Sequence, residues 1–263
     1  MDNLYDMMND YGCSPYNFAD PEDILDMIDQ YNRVYNIDEG DMKYISCKDD
    51  AGILVIVTNK YVIKIYRPEG YSKLVELYRP LTTSNTFDHI EKIYYYYMIR
   101  NGKVIHDTYP DHQLNTPLPG TNIQGVINEL LVPIVYMEGG TNRTNIQWSK
   151  PLIHKLLIDI ADGLDTLHRN GTIHYDSTLD NIGQRPSDSN FVLFDFGFSE
   201  INSNDTNMFR NDVNKFLQSF VTHRNIIPVD ITRIQTLERI VNTGPYYIGK
   251  FKEVILKSMI DYR

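Results

Sequence analysis

Cysteine is nearly absent. Cys13 and Cys47 are the only two, and they form no CxxC or paired pattern. No disulfide framework is legible, which fits a reducing interior. No apolar run reaches the length of a bilayer span, and Met1 leads into acidic residues rather than a basic start and an apolar core. The expectation is a soluble, intracellular, cytoplasmic protein with no membrane partner. Basic surplus is missing too. The net charge of −10 lies in residues 1–41, where eleven acids face Arg33 alone, and the remainder balances 24 bases against 24 acids. With no excess cation to grip a phosphate backbone, no nucleic-acid partner is expected.

What is present suits a folded body. A chain of 263 residues with 42% hydrophobic content can bury the core of one two-lobed unit or of two small domains. Asn, Ile and Tyr are heavily used, as AT-rich coding produces. Residues 1–20 read as a loose acidic arm. Asp20-Pro21-Glu22-Asp23 is a helix-start signal, and Ile24, Met27, Ile28, Tyr31, Val34 and Tyr35 follow at helical spacing. That helix either packs on the body or offers an acidic face to a partner.

From Met42 the pattern is that of strands: Tyr44-Ile45-Ser46, then Ile53 to Val57, a turn at Asn59-Lys60, and Tyr61 to Tyr66. Lys64 stands among apolar residues in the third run. Its ammonium either meets an anion or reaches solvent from an edge strand. Tyr71 to Arg79 is a short helix candidate stopped by Pro80. Tyr94 to Tyr97 favour a strand. Residues 101–125, with Gly102, Pro110, Pro117, Pro119 and Gly120, read as a loop insertion. Leu130 to Met137 reads as a further strand. Ser149 opens a long helix with Ile153, Leu156, Leu157, Ile160, Leu164 and Leu167 on one face and Gly171 at its end. His168 on it is a packed or surface residue. Phe209, Val213, Phe216, Leu217 and Phe220 mark another helix, and residues 229–263 two more, split at Asn242-Thr243-Gly244-Pro245.

The stretch from Ile173 to Gly197 carries the chemistry. Asp176 and Asn181 share a loop, and Asp195 follows the apolar run Phe191 to Phe194 at the mouth of a turn. An amide oxygen and a carboxylate suit Mg²⁺, a hard cation, and a further carboxylate can take the proton of an attacking hydroxyl.

His174-x-Asp176-x-x-x-x-Asn181 followed by Asp195-Phe196-Gly197 resembles the catalytic loop and metal motif of the protein-kinase superfamily. The resemblance covers residues 42–221 and implies an α+β, two-lobe fold, with a small antiparallel-sheet lobe at 42–136 and a larger helical lobe at 137–263, behind the arm 1–41. It makes Asp176 the catalytic base and Asn181 and Asp195 the magnesium ligands. Val62-Ile63-Lys64 resembles the strand whose lysine holds ATP phosphates, and Glu76 is nominated as the ion-pair partner of Lys64. His89 to Tyr94 resembles the fourth small-lobe strand, and Leu130 to Met137 the fifth, leading into a hinge at Met137-Glu138-Gly139-Gly140. ATP would sit in the cleft against Gly52, Leu54, Ile134, Val135 and Met137. Asp212 resembles the aspartate that braces the catalytic loop, and His174 a residue packed behind Asp195.

Four departures bear on activity. The loop Cys47-Lys48-Asp49-Asp50-Ala51-Gly52 has one glycine and two acids where kinases keep several glycines near phosphate. Tyr175 replaces the arginine that reads an activation-loop phosphate, so activity independent of such a phosphate is expected. Thr178 replaces a lysine. The segment after Gly197 is short and lacks Ala-Pro-Glu, more like RIO-type and aminoglycoside-phosphotransferase-like members. The expected acceptor is a Ser/Thr hydroxyl of a protein substrate, with a small-molecule hydroxyl as the second reading. The third reading is a nucleotide-binding scaffold without turnover.

Overall fold

The computed structural model describes residues 42–48, 53–58, 61–66, 88–100, 103–107, 121–135, 137–138, 141–142 and 146–260. The acidic arm with the helix expected in it, the stretch holding Gly52, the Tyr71 to Arg79 stretch with Glu76, and Gly139-Gly140 lie outside these residues. The protein is α+β and divides into two units, one of residues 1–83 and 92–130, the other of 84–91 and 131–263.

In the first unit, runs of β-branched and aromatic residues form strands β1 (Met42–Lys48), β2 (Ile53–Thr58), β3 (Tyr61–Tyr66), β4 (Ile93–Arg100), β5 (Lys103–Asp107) and β6 (Thr121–Glu129). All pair antiparallel, in the order β1-β2-β3-β6-β4-β5. Lys64 lies opposite Val55 on one side and Val126 on the other. The edge-strand reading of Lys64 therefore fails: β3 is interior, and the side chain is 9% exposed.

Residues 101–125 are not one loop insertion. Arg100 pairs with Lys103, so β5 begins within this stretch, and β6 begins at Thr121. The prolines at 110, 117 and 119 fall between β5 and β6, so they interrupt neither ladder, and Val104, Ile105, Ile123, Val126 and Ile127 act as strand formers. The strand expected over Leu130 to Met137 is also displaced. β6 takes the sheet position beside β3 and ends at Glu129. Val132–Pro133 (β7) pairs instead in the second unit, and Met137–Glu138 (β8) makes a small hairpin with Thr141–Asn142 (β9). Pro133 has no N–H to give a ladder and suits an edge strand only.

The second unit has a three-stranded sheet in the order β11-β10-β7, from Ile182–Gln184 (β10) and Phe191–Leu193 (β11). The stretch expected to open the fourth strand joins this sheet in part. Ile90 bridges Leu193, with the Glu91 N–H on the Leu193 carbonyl at 2.8 Å and the Leu193 N–H on the His89 carbonyl at 3.0 Å.

Helices α1 (Lys150–Arg169), α2 (Thr206–Thr222), α3 (Ile231–Asn242) and α4 (Lys250–Ile260) enclose the core. Ser149, Asp205 and Asp230 cap the first three, each accepting a first-turn N–H. The apolar faces read from periodicity on α1 and α2 are buried residue for residue. Phe216 meets Phe220 and Phe251 edge-on at 5.3 and 6.0 Å. Gly163 on α1 is a close-approach position. A Cβ there would lie 2.8 Å from the His89 carbonyl oxygen and 3.1 Å from Leu193 Cδ1. Among the described residues, no helix is long and apolar enough to cross a membrane.

Candidate functional site

The loop between α1 and β10 is shaped by a buried carboxylate on α2. Asp212 is 1% exposed, and it accepts the N–H of His174 and of Tyr175, both at 2.8 Å. The His168 Nε2–H donates to the same carboxylate at 3.1 Å, and the Ser177 hydroxyl donates to the Asp212 carbonyl at 2.6 Å. Two consecutive peptide N–H groups aimed at one carboxylate require a sharp local turn, and Tyr175 sits at φ 62° to provide it. A tyrosine in the left-handed region is strained by about 1–3 kcal/mol. The bonds on either side of it hold that strain in place.

His174 is fully buried. Its Nε2–H donates to the Phe194 carbonyl at 3.1 Å, and its Nδ1 accepts the Asp176 N–H at 3.3 Å. Both ring nitrogens are thus engaged in holding backbone. The ring packs against Phe196 at 4.8 Å. His174 therefore props both ends of the candidate site rather than acting as acid or base.

Asp176 and Asn181 are brought together. The Asn181 side-chain amide donates to the Asp176 carbonyl and to its Oδ2, both at 2.8 Å. Both amide hydrogens are thus committed, and the remaining atom, Oδ1, is the one suited to a hard cation. A 3₁₀ turn over Leu179–Asn181 carries the asparagine into β10. The turn is pinned by the Leu179 N–H on Ser219 Oγ at 3.1 Å and by His223 Nε2 at 2.9 Å from Asp180.

Asp195 follows β11, which pairs with β10 at Ile182↔Leu193 and Gly183↔Val192. The Phe194 N–H donates to the Asn181 carbonyl at 3.0 Å. Asp195 itself stands at φ 61°, so a second non-glycine residue of the candidate site is left-handed. Asp159 on α1 anchors the far end of β11 by accepting the Phe191 N–H at 2.9 Å while Lys155 holds the carboxylate at 2.5 Å.

The segment after Gly197 returns along the loop. Ile173 and Glu200 exchange backbone bonds at 2.8 and 2.9 Å, the Ser199 hydroxyl donates to the His174 carbonyl at 3.3 Å, and the Ser203 N–H donates to the Gly171 carbonyl at 2.8 Å. The Tyr175 hydroxyl donates to Glu200 at 2.9 Å, and Lys215 on α2 donates to the Tyr175 carbonyl. That hydrogen bond with Glu200, then burial and the charges of Glu200, Asp212 and Asp205, raise Tyr175 above the usual phenol value.

The other sequence candidates are distributed between the units. Leu54 on β2 and Lys64 on β3 belong to the first; Ile134, Val135 and Met137 belong to the second, where Ile134 and Val135 are buried just after β7. Gly52 and Glu76 lie outside the described residues. The sequence reading missed Ser177, Glu200, Lys215 and Ser219, and it read His168 as a packed or surface residue. Each acts through a contact more than twenty residues away, which no local pattern announces. No protein-family model matches the chain, and no curated protein matches it.

Proposed function

We propose that this chain is an ATP-dependent phosphotransferase of kinase-like, two-lobe fold. In this reading it moves the γ-phosphoryl group of Mg-ATP to a hydroxyl, with a protein Ser/Thr as the acceptor. The observation that carries the reading is the pairing of Asp176 with Asn181 beside Asp195, on a loop whose turn is held by Asp212. Asp176 accepts the hydroxyl proton. Asn181 Oδ1 and Asp195 are the oxygen donors for magnesium, which would neutralise phosphate charge. In the same reading Lys64, carried on the interior strand β3, is assigned to the phosphates. The work of such residues is positioning and charge neutralisation.

One observation favours a small-molecule acceptor instead. Only eight residues separate Gly197 from α2, and they are bonded to the loop rather than laid out as a platform for an extended peptide.

The test is turnover of radiolabelled ATP with magnesium, comparing wild type with Asp176→Ala. Label on generic protein substrates, lost in the variant, supports the protein-kinase reading. Label on small alcohols only selects the second acceptor class. Thermal stabilisation by Mg-ATP with no turnover overturns the enzyme reading and leaves a nucleotide-binding scaffold.

A further inference from the structure

All three polar groups of Tyr175 are committed. Its N–H goes to Asp212, its carbonyl takes Lys215, and its hydroxyl goes to Glu200. It is also the residue that turns left-handed immediately before Asp176. A strained residue keeps its conformation only where its surroundings over-determine it, so each of these partners helps set where Asp176 points. Asp212 and Lys215 both come from α2. Glu200 is different, because it comes from the segment after Gly197.

We propose that Glu200 is a positioning residue: by accepting the Tyr175 hydroxyl it ties the segment after Gly197 to the loop and holds the left-handed turn that presents Asp176. This rests on the phosphotransfer reading for its consequence in turnover. In a loop with arginine at this position, a phosphate on the following segment would supply the anion. Here a built-in carboxylate faces a neutral phenol, so the tie needs no modification. The backbone exchange between Ile173 and Glu200 brings the carboxylate to the ring, and the Ser199 and Ser203 bonds hold the strand on either side of it. Glu200 is exposed, so its contribution lies in geometry rather than in a buried charge.

The experiment uses the full chain as wild type, Tyr175→Phe, Glu200→Ala, Glu200→Gln and the double variant Tyr175→Phe/Glu200→Ala. Turnover of Mg-ATP is expected to show kcat lowered about three- to tenfold in Tyr175→Phe and in Glu200→Ala, the scale of one hydrogen bond, with KM for ATP unchanged. Glu200→Gln keeps an acceptor oxygen and is expected to restore most of kcat. The double variant is expected to lose no more than either single change, since both break the same bond. Multiplicative losses in the double variant, or single variants with wild-type kcat, would overturn the proposal. So would a requirement for phosphate on residues 198–205, read as loss of activity on phosphatase treatment.

A second readout needs no turnover. Amide hydrogen exchange at Ser199, Glu200 and Ser203, without nucleotide, is expected to quicken in Tyr175→Phe and Glu200→Ala but not in Glu200→Gln. If the wild type shows no phosphotransfer while exchange behaves in this way, the enzymatic reading fails and the tie stands. If exchange is unchanged, the tie fails.

Discussion

Asp212 is the residue on which the loop geometry converges. It satisfies two peptide N–H groups and the His168 ring from a position with almost no solvent access. Asp212→Ala would leave three donors without this partner, two of them in fully buried bonds, and a loss of about 3 kcal/mol or more in denaturant unfolding is expected. Asp212→Asn keeps one acceptor oxygen and should lose less. Equal stability of the alanine variant and wild type would contradict the role given to Asp212. Asp165 makes the opposite kind of residue. Burial pushes its carboxyl above the ordinary range, against the Gly249 N–H and the charges of His168 and Arg169, which draw it down. A raised folded value favours the protonated form. Stability from this group is therefore full below the unfolded value and falls as pH rises through the folded one. Asp165→Asn does not titrate, so its stability relative to wild type is expected to climb between about pH 4 and about pH 7. Melting curves at the two pH values check this, and a constant difference would sink it.

At the scale of elements, α1 and the sheet of the second unit touch through a missing side chain. Alanine ordinarily improves a helix over glycine by about 1 kcal/mol. At Gly163 the added methyl would meet the His89 carbonyl, which cannot swing away as a flexible side chain can. Gly163→Ala is expected to destabilise by about 1–3 kcal/mol, and a stabilised variant would refute this packing. Periodicity made the helices legible: the buried face of α1 and that of α2 were readable because one stripe of each meets one core. The first three strands were legible for the same reason, as short β-branched runs bounded by turns. Legibility failed where partner choice decided. Nothing local distinguishes Val132-Pro133, which pairs with β10, from a continuation of the first unit's sheet. Prolines between β5 and β6 masked two strands by making their whole neighbourhood look irregular. Within the candidate site, Asp176, Asn181 and Asp195 were legible by their spacing, but Glu200 was not. Its relevance comes from a strand-like return that only the folded chain creates.

The whole molecule is woven rather than strung. Residues 84–91 leave the first unit's sequence neighbourhood to join the second, and the chain then returns at Lys92. Ile90, 2% exposed, sits on Leu193 only two residues before Asp195. Ile90→Lys would bury an ammonium against that strand, and amide exchange is expected to rise first in β10 and β11. Unchanged protection there, with losses confined to β1, β2 and β3, would contradict the weave.

The union of Phe194 with Asn181 has a dynamic corollary. Because the hairpin and that extra bond tie the two polypeptide strands as far as residue 194, the carboxylate of Asp195 cannot drift from the asparagine by sliding of either strand. Reorientation is confined to the few torsions from 195 to 198, so relaxation measurements should find microsecond motion, where it exists, localised to those peptide planes and absent from the two residues preceding them.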